Sequence, residues 1–131
     1  MSQENVEVVK VALAAWNRGD MDSVHALLDP DATLRPPADW PEPGPYVGQE
    51  AVMREWDQVR ETWNADTVES VSDFIHAGDR VVVRAIWRTS GHGPEPKIEL
   101  TIVYTMREGR MFIIEYFWNH AEALEAAGLS E

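Results

Sequence analysis

The apolar residues of this chain change their spacing once, near its middle, and that change limits the folds available to it. In the first half they recur every three or four residues, as on one face of an α-helix. This spacing predicts amphipathic helices over residues 5–19 and 48–64, with a short helix capped by Asp20 between them. From residue 67 onward apolar and polar residues alternate, which predicts β-strands.

The alternating half divides at turn sequences into successive strands. Strands are predicted over residues 67–79, 80–90, 97–107 and 111–118, and Asn119 caps a last helix. Helices followed by an antiparallel meander predict an α+β fold in one domain spanning residues 1–131. We expect a strongly curved sheet to wrap the N-terminal helices as a cone, whose wide end forms a pocket.

One loop is rich in proline. Residues 34–48 contain five prolines together with Trp40 and Tyr46. Because proline restricts the backbone, it lowers the entropy that a loop loses when it becomes ordered. We interpret the loop as a roof over the pocket, with both rings folded back across it. The alternative is that the rings cap the core or pack on a partner subunit.

The faces that alternation assigns to the interior are rich in aromatic residues, and the chain has six tryptophans. Each ring alone is explained by ordinary core packing. Together they predict a cavity, because buried indole N–H and phenol groups need partners. With the loop residues, the predicted ligand-binding set is Trp16, Trp40, Tyr46, Trp56, Trp87, Leu100, Ile102, Tyr104, Ile114, Tyr116 and Trp118.

Composition excludes several partners and cofactors. The formal net charge of −12 disfavours nucleic acid and anionic membranes, because phosphate repels such a surface. The chain has no cysteine, no basic secretory start and no apolar run long enough for a membrane span, so we expect a cytoplasmic protein. Its histidines lack metal-ligand spacing, and no phosphate-binding or dinucleotide-binding glycine motif occurs, so no metal or cofactor is predicted.

The other face of the predicted sheet is half apolar. Surfaces of this kind often pair with a second copy of the same chain. We therefore predict a homodimer whose contact residues are Val82, Ile86, Val103, Ile113 and Phe117.

The order of motifs resembles a known family. The stretches "AAWNRGDMDSVHALLDPDATL", "VGQEAV", "AGDRVVV" and "MREGRMFIIEYFWNHAEAL" resemble SnoaL-like polyketide cyclases and the wider nuclear transport factor 2-like superfamily, which includes ketosteroid isomerase. The resemblance covers nearly the whole chain and implies the cone-shaped, cystatin-like fold. It also implies a pocket that the superfamily uses for isomerases, cyclases, dehydratases, epoxide hydrolases and non-catalytic binding domains.

The catalytic residues of ketosteroid isomerase do not carry over. The resemblance places its oxyanion-hole tyrosine at Ala12, its aspartate base at Pro36 and its second aspartate near Ile102, so all three roles are vacant. A further pocket tyrosine falls at Trp56. The cyclases' histidine falls at His92.

Two hypotheses about function therefore stay open. The first is an enzyme that moves a proton on an apolar cyclic molecule, with Asp39 or His92 as the acid–base residue. Tyr104 or Tyr116 would then donate a hydrogen bond to the substrate. The second is a non-catalytic dimer that binds a ligand or another protein. The cyclases' late aspartate falls at Asn119, which cannot act as a carboxylate base and so favours the second hypothesis.

Overall fold

The computed structural model of the protein describes residues 2–40, 43–62, 67–88 and 97–128; the predicted acid–base residue His92 lies outside these ranges. The helices are α1 (Ser2–Asn17), α2 (Met21–Ala26), α3 (Gln49–Thr62) and α4 (His120–Ala126). The strands are β1 (Leu28–Arg35), β2 (Tyr46–Val47), β3 (Thr67–Ser70), β4 (Ile75–Ala77), β5 (Arg80–Arg88), β6 (Lys97–Arg107) and β7 (Arg110–Phe117).

The strands form a curved, unclosed sheet in the order β2-β1-β7-β6-β5-β3, and β4 also pairs with β5. The predicted α+β fold is therefore confirmed. Neighbouring strands run antiparallel except β1 and β7, which pair in parallel. Alternation along a single strand carries no information about its neighbours, so this parallel pair was not predicted.

The concave face of the sheet packs against α1 and α3. The predicted inward residues of β5 and β6 all belong to this core, including Val83, Trp87, Ile102 and Tyr104. Asn17, the last residue of α1, ties the helix to the sheet edge with two hydrogen bonds. Its amide nitrogen donates to the carbonyl of Val68 (2.9 Å), and its side-chain oxygen accepts from the Val68 N–H (2.6 Å).

Strand β7 contains an irregularity that reverses part of its predicted face. Thr105 pairs with Ile113, whereas Met106 pairs with Met111, so β7 has one extra residue between these pairs. A bulge of this kind turns the preceding side chains to the opposite face. Met111 is consequently buried in the core. Alternation with Ile114 and Tyr116 predicts that Phe112 faces inward, and this is wrong: its ring centroid lies 3.9 Å from the Arg107 guanidinium carbon, outside the core.

Helix α4 covers part of the convex face. Ala123 of α4 and Ala127, which caps the C-terminus of this helix, form a second apolar cluster with Val82 and Val103, which are fully buried. The prediction that Val82 and Val103 contact a second copy is therefore wrong, because the chain's own helix occupies that surface. The sequence pattern could not distinguish a sheet face that packs against a second copy from one that packs against the chain's own helix, since both surfaces need apolar residues.

The remaining residues of the predicted dimer face are less enclosed by α4. Ile86 is 7% exposed, and Ile113 and Phe117 are half-buried, with Phe117 packed against the α4 cluster. A homodimer through this smaller surface stays a prediction. The predicted Asn119 cap is confirmed, because its side chain accepts a hydrogen bond from the Glu122 N–H at 3.1 Å.

A buried carboxylate joins β1 to the end of β6. Asp29, only 4% exposed, accepts two hydrogen bonds from the Arg107 guanidinium, at 2.7 and 3.0 Å. These bonds hold the pKa of Asp29 below its usual value, against the opposing effect of burial. The ion pair therefore stabilises the fold only while Asp29 is ionised.

We predict that Asp29 contributes to loss of stability in acid. Because its pKa is lower in the folded chain than in the unfolded chain, its contribution is present above the unfolded pKa, about 3.9, and disappears as pH falls through the folded pKa. Urea unfolding of the wild type and Asp29→Asn between pH 7 and pH 2.5 should show a shallower acid slope for the variant. Asp22→Asn, at a position with no such arginine pair, is the control, and equal slopes for Asp29→Asn and wild type would contradict the prediction.

Candidate functional site

The concave face gathers aromatic rings from four parts of the chain. Trp16 on α1 stacks on Trp87 of β5, with ring centroids 5.8 Å apart and planes 13° apart. Trp56 on α3 meets Trp16 edge-on at 6.1 Å. Tyr116 of β7 meets Trp87 edge-on at 5.3 Å. We call these four rings and Trp40, which is described below, the aromatic cluster.

A small apolar cavity of about 30 Å³ remains beside these rings. Its wall is formed by Ala12, Leu13, Trp16, Val24, Trp56, Trp87, Ile102, Tyr104, Met111, Ile114 and Tyr116. Such a volume holds one or two water molecules, whereas small-molecule pockets commonly measure about 300–1,000 Å³. The interior is therefore nearly filled in this structure. Leu100, also predicted to bind ligand, is buried in the core but does not line the cavity.

Trp40 fills the space next to the cavity. It is 4% exposed, and its ring lies 5.4 Å from Tyr116 and 6.2 Å from Trp87, both of which line the cavity. Trp40 is the last residue of a turn, which is closed by the hydrogen bond from the Trp40 backbone N–H to the Pro37 carbonyl (3.0 Å). The proline-rich loop therefore folds back on the cone, but Trp40 caps the core instead of roofing an open pocket. Tyr46 is half-buried in β2.

Glu55 is a buried carboxylate that the sequence analysis missed. It is 7% exposed on the inner face of α3, and its Oε2 accepts a hydrogen bond from the Trp40 indole N–H at 3.3 Å. A signal for it existed. Val52, Glu55, Trp56 and Val59 follow the i, i+3, i+4, i+7 spacing of one helix face, so the carboxylate occupies a position where the pattern calls for an apolar residue.

Two tyrosines present hydroxyl groups to the same interior. The Trp56 indole N–H donates a hydrogen bond to the Tyr116 hydroxyl oxygen at 2.9 Å. Burial raises the pKa of Tyr116 well above its usual value, and the nearby charge of Glu55 adds to the rise. Burial also raises the pKa of Tyr104. Both phenols therefore stay protonated at neutral pH and can donate a hydrogen bond, but cannot serve as bases.

Trp118 and Asp39 lie at the rim of this interior. Trp118 is 50% exposed, so the prediction that it faces fully inward with Tyr116 is wrong; β7 ends at Phe117, and strand alternation stops applying there. The Trp118 indole N–H donates to the Asp39 carboxylate at 2.7 Å, and its ring lies 5.8 Å from Trp40. Asp39, one of the two predicted acid–base residues, is exposed.

The positions that the ketosteroid isomerase resemblance left vacant are apolar in the structure as well. Ala12 and Ile102 both line the cavity, and Pro36 is half-buried at the start of the loop. Two of the three positions therefore lie beside the cavity, and the polar groups in this interior come from other positions. Glu55, Tyr104 and Tyr116 supply them.

Comparison with known protein families now identifies the group. Residues 9–114 match the SnoaL-like domain. This protein belongs to the SnoaL-like family. A comparison with curated proteins finds none that matches the chain.

Solved structures of this fold resemble the SnoaL-like chain over most of its length. Bal32a, from a soil-derived mobile gene cassette, is 22% identical with a TM-score of 0.74, covering 90% of this chain and 98% of its own. A nuclear transport factor 2-like protein of unknown function from Burkholderia pseudomallei K96243 is 25% identical with a TM-score of 0.73, covering 95% and 97%. TerC, co-crystallised with polyporic acid, is 21% identical with a TM-score of 0.71, covering 95% and 98%.

Within residues 2–40, 43–62, 67–88 and 97–128, no helix combines the length and apolar character that crossing a membrane requires. The same residues contain no group of three or more histidine, cysteine or acidic side chains placed to hold a metal ion.

We predict that the Trp56–Tyr116 hydrogen bond stabilises this interior. In Tyr116→Phe the Trp56 indole N–H loses its acceptor, and a buried donor without a partner costs about 1–3 kcal/mol. Trp56→Phe in the same background removes the unpaired donor, so the double variant should be less destabilised than the sum of both single variants. Urea unfolding of the four proteins measures the coupling, and strictly additive losses would contradict it.

Proposed function

We propose that this SnoaL-like protein binds an apolar, ring-containing small molecule on its aromatic cluster after the Trp40 side chain is displaced. The observation that carries the proposal is the position of Trp87 and Tyr116, which line the cavity and also contact Trp40. Displacement of the Trp40 ring would join the space that this ring fills to the cavity. The joined space is bounded by aromatic and aliphatic side chains, which suit an apolar ligand.

The surroundings of Trp40 support its displacement. The two preceding residues, Ala38 and Asp39, are exposed and belong to neither a helix nor a strand. Moving the Trp40 side chain therefore breaks no strand pairing of β1, which ends at Arg35. The solved structure of TerC adds support for small-molecule binding, because it shows a protein of this fold co-crystallised with polyporic acid.

Acid–base catalysis of the isomerase or cyclase type is part of this proposal. Among the residues that the structure describes, Glu55 is a buried carboxylate that contacts the aromatic cluster through Trp40. It is therefore the group that would accept a proton from a bound substrate. Tyr104 and Tyr116, protonated at neutral pH, would donate hydrogen bonds to a developing oxyanion. Asp39 and His92, the predicted acid–base residues, remain alternatives to Glu55 in this role.

A second function is favoured by the size of the cavity. At about 30 Å³ it is too small for a metabolite, which suits a non-catalytic interaction or accessory protein with a filled interior. Under this alternative Trp40 is a permanent part of the core. The two functions differ in whether any ligand enters the aromatic cluster.

Thermal unfolding with the neutral probe 2-naphthol tests the binding function. A ligand that binds only the folded chain stabilises it by about 2.7 kcal/mol at 100 times its Kd, so the Tm should rise by several degrees. Ala12→Leu adds bulk to the cavity wall and should reduce the rise. Val11→Leu, at an exposed neighbouring position on α1, is the matched control and should leave it unchanged. A Tm that does not rise in wild type or in Trp40→Ala would favour the interaction function.

A further inference from the structure

We propose that the Trp40 side chain occupies the ligand-binding position, and that the ligand is a flat, neutral aromatic ring system. An N–H or O–H group on the edge of this ring system donates a hydrogen bond to Glu55. The inference rests on the proposed binding function and narrows its ligand class. An indole or a phenol fused to a second ring has this chemistry.

The rings around Trp40 define the shape of that place. Tyr116, Trp87 and Trp118 surround it, with centroid distances of 5.4, 6.2 and 5.8 Å. Their planes make angles of 54°, 61° and 34° with the Trp40 plane, so the space between them is bounded on more than one side by aromatic surface. These distances and angles are those of favourable tilted and edge-to-face aromatic pairs. A flat bicyclic ring can replace the indole and retain the same contacts.

Glu55 adds a requirement that ring shape alone does not impose. Its carboxylate is buried, and the Trp40 indole N–H donates a hydrogen bond to it. A ligand that displaces Trp40 without offering a donor removes this hydrogen bond from a buried polar group, which is unfavourable. A ligand with a donor at the corresponding edge restores it. Sites built around a hydrogen bond discriminate strongly against isosteres that lack the group.

Charge excludes acidic ligands from the same place. Glu55 brings a carboxylate to the space that Trp40 fills, and the chain as a whole carries a net charge of −12. Bringing a carboxylate or phosphate beside a buried acidic group disfavours the charged form of both. The ligand is therefore neutral where it meets Glu55.

Indole and 1-methylindole are the probes that separate ring shape from donor chemistry, because in 1-methylindole a methyl group replaces the hydrogen of the ring N–H. In Trp40→Ala, calorimetric titration should show indole binding at least about tenfold tighter than 1-methylindole. In Trp40→Ala/Glu55→Met, which removes the acceptor, the ratio should approach one. Wild type should bind indole more weakly than Trp40→Ala, because the ligand must displace Trp40.

A second measurement uses the wild-type chain and does not depend on the variants folding. The Trp40 indole N–H gives its own NMR signal, which should move toward the position of a solvent-exposed indole as 2-naphthol is added. The Trp118 indole N–H, which bonds to exposed Asp39, is the internal comparison. Binding of 2-naphthol with an unchanged Trp40 signal would overturn the displacement.

The outcomes separate this inference from the proposed function. Equal affinity of Trp40→Ala for indole and 1-methylindole would overturn the donor requirement and leave apolar binding standing. Failure of Trp40→Ala to bind either probe would overturn both. If folded Trp40→Ala/Glu55→Met still bound indole more tightly than 1-methylindole, another group would recognise the donor, and the role of Glu55 would be overturned.

Discussion

The stack of Trp16 on Trp87 is the contact on which the interior of this protein depends. It joins α1 to β5 at a centroid distance of 5.8 Å, and the other rings are arranged around it: Trp56 edge-on to Trp16, and Tyr116 edge-on to Trp87. Trp40 then packs on Trp87 and Tyr116. Because large flat rings leave gaps where their edges meet, this packing nearly fills the cone yet leaves a small cavity beside it.

Much of the fold could be predicted because local pattern determines it. The alternation of β5 and β6 gave the correct inward residues, and Asp20 and Asn119 cap the helices expected of them. The errors arise where one local event changes the pattern. A single extra residue in β7 buried Met111 instead of Phe112, and the end of that strand at Phe117 left Trp118 half-exposed.

Other features could not be predicted because they depend on distant parts of the chain. Strand alternation places Val82 and Val103 on an apolar outer face, and nothing near them in sequence indicates that α4 covers this face. Glu55 was missed for a different reason. Its spacing was visible, but a glutamate in a helix is usually exposed, so the pattern indicated a buried carboxylate only once Trp40 was known to reach it.

The same arrangement bears on how a SnoaL-like chain can lack the isomerase residues and still be selective. Under the proposed function, Trp40 would compete with the ligand, because a ligand would have to exceed the contacts of Trp40 before it could bind. If the open form made up about 1% of molecules, the apparent affinity of every ligand would fall about 100-fold. Weak, purely apolar compounds would then be excluded, because they replace the ring contacts but not the hydrogen bond to Glu55. A ligand that reproduces both the ring contacts and the hydrogen bond would recover what the displacement of Trp40 removes, so the closed interior would itself make the proposed site selective.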